Sequence, residues 1–269
     1  MNQSLRAAVD LVDSHCHLDD DSLAADLPQV LHRAQRVGVR QILVPAISAR
    51  LWSRLRGLVA TVAGAHAAYG LHPMYLREHR PEHLDQLGDW LEQERPVAVG
   101  ECGLDYYLPE LDPARQVELF TAQIQLARDF DLPLVIHARR SVDDVSKYLR
   151  RQPGCRGVVH SFAGSLEQAR RLFRLGFLLG IGGPVTYTRA RRLRSVVQAL
   201  PVEALLLETD APDQPGASHR GERNEPAYIA EVLETVAALR VTSPAELAAA
   251  TSRNARALFR FDAAPELPG

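Results

Sequence analysis

Short apolar runs alternate along the chain with longer stretches in which apolar residues recur at helical spacing. The short runs have the length of buried strands and lie at 9–13, 41–46, 67–72, 97–101, 134–137, 157–160, 177–182 and 205–210. The stretches between them carry apolar residues at i, i+3 and i+4, which predicts amphipathic helices. A final helix is indicated by Ser243 and Glu246, which form a capping box, with Pro244 at its first position.

This alternation predicts eight strand–helix units and therefore a parallel sheet. Eight units within 269 residues, with no linker and no low-complexity segment, favour one domain over 1–269. We expect a single (β/α)8 TIM barrel of the metal-dependent hydrolase type. The alternative is a six-stranded doubly wound sheet, but no GxGxxG motif follows the first strand.

The composition is that of a globular protein with its own core, since 46% of the residues are apolar and 24% are charged. Lysine and arginine total 31 against 33 acidic residues, which gives a formal net charge of -2. A nearly neutral chain does not coat duplex DNA through bulk charge. Any contact with nucleic acid must therefore be weak and local.

The three cysteines, Cys16, Cys102 and Cys155, are widely spaced and form no CxxC motif. They suggest neither a disulfide framework nor a thiolate zinc site, so a reducing compartment is expected. No apolar run approaches the roughly 18 residues of a membrane span, and the N-terminus has no secretory signal pattern. We expect a cytoplasmic protein without a membrane or obligate protein partner.

Polar residues end most of the predicted strands. His15 and His17 follow the first strand with Asp13, and the three share one face of an extended chain. The fourth, fifth, sixth and eighth predicted strands end at Glu101, His137, His160 and Asp210. In a barrel the carboxyl ends of the strands surround one mouth, so four histidines and two carboxylates converge there. Capping alone does not produce this combination, which predicts a metal site.

Other polar residues allow two interpretations each. His72 shares the predicted mouth, either supporting a ligand or contacting substrate. His32, His66, His79 and His83 are expected on the solvated surface, and His219 stays undecided. Asp13 and Glu208 are candidates for orienting ligands. Arg139 and Arg140 could grip a phosphate or form surface salt bridges, and Tyr106 and Tyr107 could stack a base or simply pack. The run from Arg189 to Arg194 is expected to be a solvated helix face.

Several ordered motifs resemble the TatD-type metal-dependent deoxyribonucleases, and within them the YjjV-like branch. They are SHCH at 14–17, GLHP at 70–73, VGECGLDY at 99–106, PLVIHAR at 133–139, HSFAG at 160–164, ETDAP at 208–212, RNEP at 223–226 and Asn254. One departure is Ala163, where the family commonly has serine or threonine. The resemblance implies two divalent metal ions and release of nucleotides from 3′ ends of single-stranded or frayed DNA.

The resemblance also implies roles for individual residues. It places His15, His17, Glu101 and Asp210 on one ion, with Glu101 bridging to a second ion held by His137 and His160. The chemistry of a water activated between two ions makes Asp210 the expected general base, and the position of His72 and Arg139 at the mouth makes them the candidate substrate contacts.

The types of donor atom and the lysine content predict which metals bind and which residue bridges them. Four imidazoles favour Zn²⁺, Mn²⁺, Ni²⁺ or Fe²⁺ as isolated, with Mg²⁺ as a weak replacement. The single lysine, Lys147, lies about ten residues beyond His137, so Glu101 and not a modified lysine must form the bridge.

Two other function classes are open. The same site could hydrolyse another ester, such as an aminoacyl-RNA ester, a lactone or a small phosphoester. A non-catalytic metal-binding protein is less compatible with six ligands and a base, because closed structural zinc sites use four.

Overall fold

The computed structural model describes residues 10–261. Its strands form one eight-stranded parallel sheet in the order β1 to β8. The strands are β1 (Leu11–Asp13), β2 (Val39–Pro45), β3 (Ala65–Tyr69), β4 (Ala98–Asp105), β5 (Leu134–Arg139), β6 (Gly157–Val159), β7 (Phe177–Ile181) and β8 (Leu205–Leu207). The backbone amide of Ser14 donates to Leu207 O at 3.0 Å and joins the two ends of the sheet. The (β/α)8 barrel prediction is confirmed, and the doubly wound alternative is wrong.

Helices follow the strands on the outside of the barrel. They are α1 (Asp21–Ala24), α2 (Leu27–Arg36), α3 (Trp52–Thr61), α4 (Glu82–Glu94), α5 (Pro113–Asp129), α6 (Val142–Arg150), α7 (Leu166–Arg174), α8 (Arg191–Ala199), α9 (Ile229–Arg240) and α10 (Pro244–Phe259). The capping box predicted from Ser243 and Glu246 opens α10, with Pro244 at its first position. Within residues 10–261, no helix combines the length and apolarity needed to cross a bilayer.

The strand ends differ from the predicted ones in ways that matter for the site. Strand β4 continues to Asp105 and β5 to Arg139, because their backbones stay paired from Cys102 and Ile136 onward. The prediction that Glu101 and His137 end their strands is therefore wrong, since both lie within them. The predicted first strand included Val9, which lies outside the described residues.

The interior of the barrel changes from apolar to polar along the strands. Val135, Val158 and Leu206 belong to a buried apolar cluster with Phe259 and Phe261, at and just beyond the end of α10. Side chains two residues apart on a strand share a face, so the next inward residues are His137 on β5 and, directly after the last residues of β6 and β8, His160 and Glu208. The apolar residues therefore fill the amino-terminal half of the barrel and leave the polar side chains at the other end.

Candidate metal centre

Glu101 lies at the centre of the polar cluster, buried to 1% exposure. Its Oε2 lies 3.2 Å from His15 Nε2 and 3.6 Å from His17 Nε2. Its other oxygen, Oε1, lies 2.8 Å from His160 Nε2 and 3.2 Å from His137 Nδ1. The two oxygens of one carboxylate thus face two different pairs of imidazoles.

Asp210 completes the first of these groups from the segment after β8. Its Oδ1 lies 3.5 Å from His15 Nε2 and 3.7 Å from His17 Nε2. The side-chain amide of Gln214 donates to Oδ2, so only Oδ1 is left to face the imidazoles. The Asp210 amide donates to His15 O at 2.8 Å, which ties this segment to the end of β1. Asp210 has a φ of 59°, a left-handed conformation that is uncommon for residues with a side chain.

Asp105 decides which nitrogen of His137 faces the site. Its Oδ2 lies 2.9 Å from His137 Nε2 and accepts that nitrogen's proton. The lone pair of neutral His137 is then on Nδ1, which points at Glu101 Oε1. Two acceptors that face each other across 3.2 Å repel unless a proton or a metal ion lies between them; burial opposes charge on the ring, but its contacts with Asp105 and Glu101 raise the pKa of His137. The donor chemistry therefore fits a metal ion.

The ionisation of the cluster shows the same preference for positive charge. Burial disfavours the charged form of His160, but the carboxylates of Glu101, Asp210 and Glu208 outweigh burial and raise its pKa to about 10. Burial also disfavours charge on Glu101, yet the surrounding histidines hold its pKa well below the ordinary range. A bound cation would satisfy the same negative potential that otherwise retains protons.

Three overlapping groups in this cluster have donor atoms close enough for a metal ion, all within 4.8 Å of one another. They are His15 with Glu101 and His160, His15 with His17 and Asp210, and His72 with Glu101 and His137. All six ligands expected from the sequence are thus brought together. His72 joins them, although the sequence left its role open.

The contacts of His72 favour a supporting position over direct ligation. Its Nδ1 accepts from the Met74 backbone amide at 3.0 Å, and burial lowers the pKa of the ring to about 4. The neutral ring therefore carries its proton on Nε2, which donates to Glu101 Oε1 at 2.8 Å. His72 also lines the cavity above the cluster.

Asp13 and Glu208 support the site through the backbone. The carboxylate of Asp13 accepts from the Thr209 amide at 3.0 Å, from the Thr209 hydroxyl at 2.6 Å and from the His15 amide at 3.3 Å. Glu208 accepts from the Ser161 amide and lies 4.0 Å from His160 Nδ1. Burial raises the pKa of Asp13 to about 7 and that of Glu208 to about 8. Both hold ligand-bearing segments in place and make no hydrogen bond to an imidazole.

The cavity above the cluster has a volume of about 1130 Å³ and walls of different character. The wall from β4 to β7 presents Tyr106, Arg139, Arg140 and Arg192 together with Asp143 and Asp144, whereas Asp19, Asp20, Asp21 and Asp213 lie on the β1 and β8 side. An apolar wall consists of Ile47, Leu51, Met74 and Tyr75. Arg139 thus reaches the mouth, as the sequence predicted. The arginine run at 189–194 is not purely a solvated face, because Arg192 lines this cavity.

Several predictions for the other histidines are wrong. His66, His79 and His83 are buried, because β3 and the segments around α4 pack them inside, whereas His32 is exposed as expected. His219, which the sequence left undecided, stacks on Tyr228 at 3.5 Å and pairs with Glu222 at 3.0 Å, away from the cavity. Lys147 lies in α6, 3.8 Å from Asp144.

Sequence reasoning missed two residues of the site, Asp105 and Gln214. Asp105 lies four residues after Glu101 on the same strand, a same-face spacing that would have signalled it had β4 been predicted at its full length. Gln214 lies in an irregular loop, where no periodicity indicates direction. Its contact with Asp210 follows only from the folded chain.

Comparison with known proteins agrees with this geometry. The family described as TatD related DNase matches residues 12–260. The metal-dependent hydrolase YjjV of Escherichia coli (strain K12) is 41% identical over 251 residues, covering 92% of this chain and 97% of that protein. YabD, a metal-dependent hydrolase of Bacillus subtilis (strain 168), is 35% identical over 254 residues, covering 94% and 100%. The crystal structure of YjjV from Escherichia coli K12 has a TM-score of 0.90 at 40% identity, covering 93% of this chain and 98% of that one.

Proposed function

The chain belongs to the TatD family and is a metal-dependent hydrolase, and from this premise we propose that it is a deoxyribonuclease. It removes nucleotides from the 3′ ends of single-stranded or frayed DNA. The observation that carries the proposal is Glu101, whose two oxygens face two sets of imidazoles. Such a carboxylate suits a two-metal phosphodiesterase.

The residues divide into two metal-holding groups that share Glu101. His15, His17 and Asp210 would hold one ion, and His137 and His160 would hold the second. When bound, two divalent cations would supply an activated water and polarise the scissile phosphodiester. Four imidazoles favour Zn²⁺, Mn²⁺, Ni²⁺ or Fe²⁺, whereas Mg²⁺ prefers oxygen ligands and acts as a weak replacement.

The remaining chemistry is assigned to side chains of this protein. Asp210 is assigned the general base, which would accept the proton that the attacking water gives up, and the Gln214 amide orients its carboxylate through Oδ2. His72 keeps Glu101 oriented through its Nε2 proton, and Asp105 keeps His137 Nδ1 directed inward. The contact of His72 with substrate stays a prediction, as does the cytoplasmic location.

The cavity volume of about 1130 Å³ favours a polymer over a small ester. The test is to incubate the purified protein with single-stranded DNA labelled at either end, beside an aminoacyl-RNA ester, a lactone and a small phosphoester. We expect a ladder of products shortened from the 3′ end. Faster hydrolysis of one of the esters, with intact DNA, would contradict the proposal and support the alternative ester hydrolase.

Variants link that activity to the proposed site. Asp210→Asn should keep part of the metal but lose about 100-fold or more in kcat, because the proton acceptor is removed. His160→Ala should lose metal as well, measured by elemental analysis. Lys147→Ala is the control and should keep both metal and activity. Full activity of metal-depleted protein in Mg²⁺ freed of trace transition metals would refute the metal assignment.

A further inference from the structure

Two cationic side chains, Arg139 and Arg140, lie on the wall of the cavity next to β5 and contact the ring of Tyr107 behind them. Tyr107 is 45% exposed, although most large apolar side chains of the protein are buried. The guanidinium carbon of Arg139 lies 3.7 Å from the Tyr107 ring centroid, and that of Arg140 lies 4.7 Å from it. We call Tyr107, Arg139 and Arg140 the Tyr–Arg shelf.

Within residues 10–261 neither shelf arginine forms a salt bridge, although the charge of Arg139 interacts with the Asp105 carboxylate. The acidic side chains that follow them are engaged elsewhere, since Asp143 pairs with Arg171 at 2.9 Å and Asp144 lies 3.8 Å from Lys147. Two cations held over one ring repel each other, and the ring's quadrupole offsets only part of that repulsion. The shelf therefore carries positive charge that is not fully compensated, which favours the binding of an anion.

Arginines on the opposite wall of the same cavity are paired. Arg50 lies 2.9 Å from Glu78, and Arg54 lies 2.6 Å from Asp21. Their charges are neutralised locally, so they offer an incoming anion much less than the shelf does. Of these two walls, the one beside β5 is therefore the wall whose arginines form no salt bridge within residues 10–261.

The shelf is anchored to the metal centre through Asp105. The same carboxylate that accepts from His137 Nε2 accepts from the Tyr107 amide at 2.8 Å. The Tyr106 amide donates to Arg139 O at 2.9 Å and fixes the backbone between the two. Arg140 has a φ of 57°, a strained conformation for a residue with a side chain and one that clusters at functional sites.

The position of the shelf separates it from the metal ligands. Arg139 lies two residues after His137 on β5 and shares its face, which puts the two Cα atoms about 6.6 Å apart along the strand. Exposure rises along the strand, from buried Ile136 to exposed Arg139. The guanidinium groups therefore stand beyond the metal centre, toward solvent.

We propose that the Tyr–Arg shelf is a second phosphate-binding subsite, which receives the phosphate next to the scissile one in a single-stranded oligonucleotide. This inference rests on the proposed nuclease function and narrows its substrate. A ligand must carry at least two phosphates one nucleotide apart to use both the metal centre and the shelf. Tyr107 holds the two guanidinium groups in place, and they grip the phosphate by charge-assisted hydrogen bonds.

The test measures binding separately from turnover. A fluorescent, phosphorothioate-linked oligothymidylate is titrated with the protein as isolated, at several salt concentrations, and its anisotropy is recorded. The double variant Arg139→Gln, Arg140→Gln should weaken binding about tenfold or more. It should also reduce the slope of log Kd against log salt by about 0.7, the value for one phosphate of a single strand.

Matched variants guard against a general effect of charge or folding. Arg50→Gln, Arg54→Gln removes the same charge from the opposite wall and should leave the slope unchanged. Tyr107→Phe keeps the ring and should bind normally, whereas Tyr107→Ala should weaken binding because the guanidinium groups lose their support. An equal loss of slope in both double variants would overturn the subsite.

A one-phosphate substrate separates the shelf from the metal centre. The Arg139→Gln, Arg140→Gln variant should lose much less activity on bis(4-nitrophenyl) phosphate than on the oligonucleotide, because that ester carries one phosphate and cannot occupy both places. An equal loss on this ester would overturn the proposal and assign the arginines to the scissile phosphate. If the double variant shows the expected reduction in slope but the wild-type protein never cuts DNA, the nuclease function is refuted and the subsite stands. No binding at all would refute the subsite.

Discussion

At the residue scale, the metal centre depends on which nitrogen each imidazole turns toward Glu101. His15, His17 and His160 present Nε2, whereas His137 presents Nδ1. The exception is His137, whose Nε2 is taken by Asp105. One carboxylate outside the ligand set thus fixes a tautomer inside it.

Asp105→Asn tests this control. The variant keeps a carbonyl oxygen for the Tyr107 amide, but its NH₂ group would face His137 Nε2. His137 must then accept at Nε2 and carry its proton on Nδ1, which blocks ligation. We expect metal affinity to fall about 10–100-fold with little change in melting temperature. Unchanged metal affinity, measured by titration with a chelator, would show that Asp105 does not set the tautomer.

His66 gives a prediction far from the metal centre. It stacks on Phe261 at 4.1 Å inside the barrel, and burial lowers its pKa to about 4. Because the folded pKa lies below the unfolded value of 6.5, the stability from neutral His66 is present above pH 6.5. It is lost progressively as the pH falls from 6.5 to about 4.

The corresponding variant is His66→Leu, which cannot be protonated. Between pH 7 and about pH 4.5, the free energy of unfolding of the wild type should fall by about 2 kcal/mol relative to the variant. Urea denaturation at both pH values measures the difference. Parallel losses in the two proteins would mean that His66 does not contribute to acid sensitivity.

At the element scale, strand β8 is held at each end by an asparagine. Beyond its carboxyl end, Asn224 Nδ2 donates to Thr209 O at 2.8 Å and to Asp213 O at 2.7 Å. At its amino end, Asn254 Nδ2 donates to Val202 O at 2.8 Å and to Leu205 O at 3.0 Å. The two side chains make the same kind of contact, but only Asn224 braces the segment that carries Asp210.

This symmetry gives a matched pair of variants, Asn224→Ala and Asn254→Ala. Each leaves two carbonyls without their donor, so each should lower the free energy of unfolding by about 1–3 kcal/mol. Only Asn224→Ala should also weaken metal binding and hydrolysis, because residues at the carboxyl ends of barrel strands serve the site. Equal losses of activity in both variants would contradict this division.

At the scale of the whole molecule, the charge is nearly balanced but unevenly placed. The formal net charge is -2, while the cavity has a wall with Arg139, Arg140 and Arg192 and another with several aspartates. A single strand that follows the arginine wall avoids the four aspartates of the other wall, and the two aspartates on its own wall, Asp143 and Asp144, lie near Arg171 and Lys147. Affinity for DNA should therefore come from few phosphates.

The salt dependence of binding tests this view of the whole surface. We expect the slope of log affinity against log salt for single-stranded DNA to be shallower than about -4, the value for six phosphates. Fluorescence anisotropy over a range of salt concentrations measures it. A steeper slope would mean an extended basic track that the charge distribution does not suggest.

Much of the site was determined by the sequence alone, for a simple physical reason. Strands alternate their side chains with a period of two, and the carboxyl ends of parallel strands meet at one mouth. Apolar runs that ended in Glu101, His137, His160 and Asp210, with His15 and His17 directly after the first run, were therefore sufficient to predict the barrel and the convergence of its ligands. The family resemblance then supplied how they divide between two ions.

Other features depended on the tertiary structure. Pairing with β5 extends β4 past Glu101 to Asp105, and no local pattern encodes how far two distant strands stay paired. The burial of His66 and the contact between Gln214 and Asp210 likewise join segments far apart in sequence or in irregular loops. Hydrophobic periodicity specifies which face a residue takes, whereas hydrogen-bond partners and the state of each imidazole follow only from the packed chain.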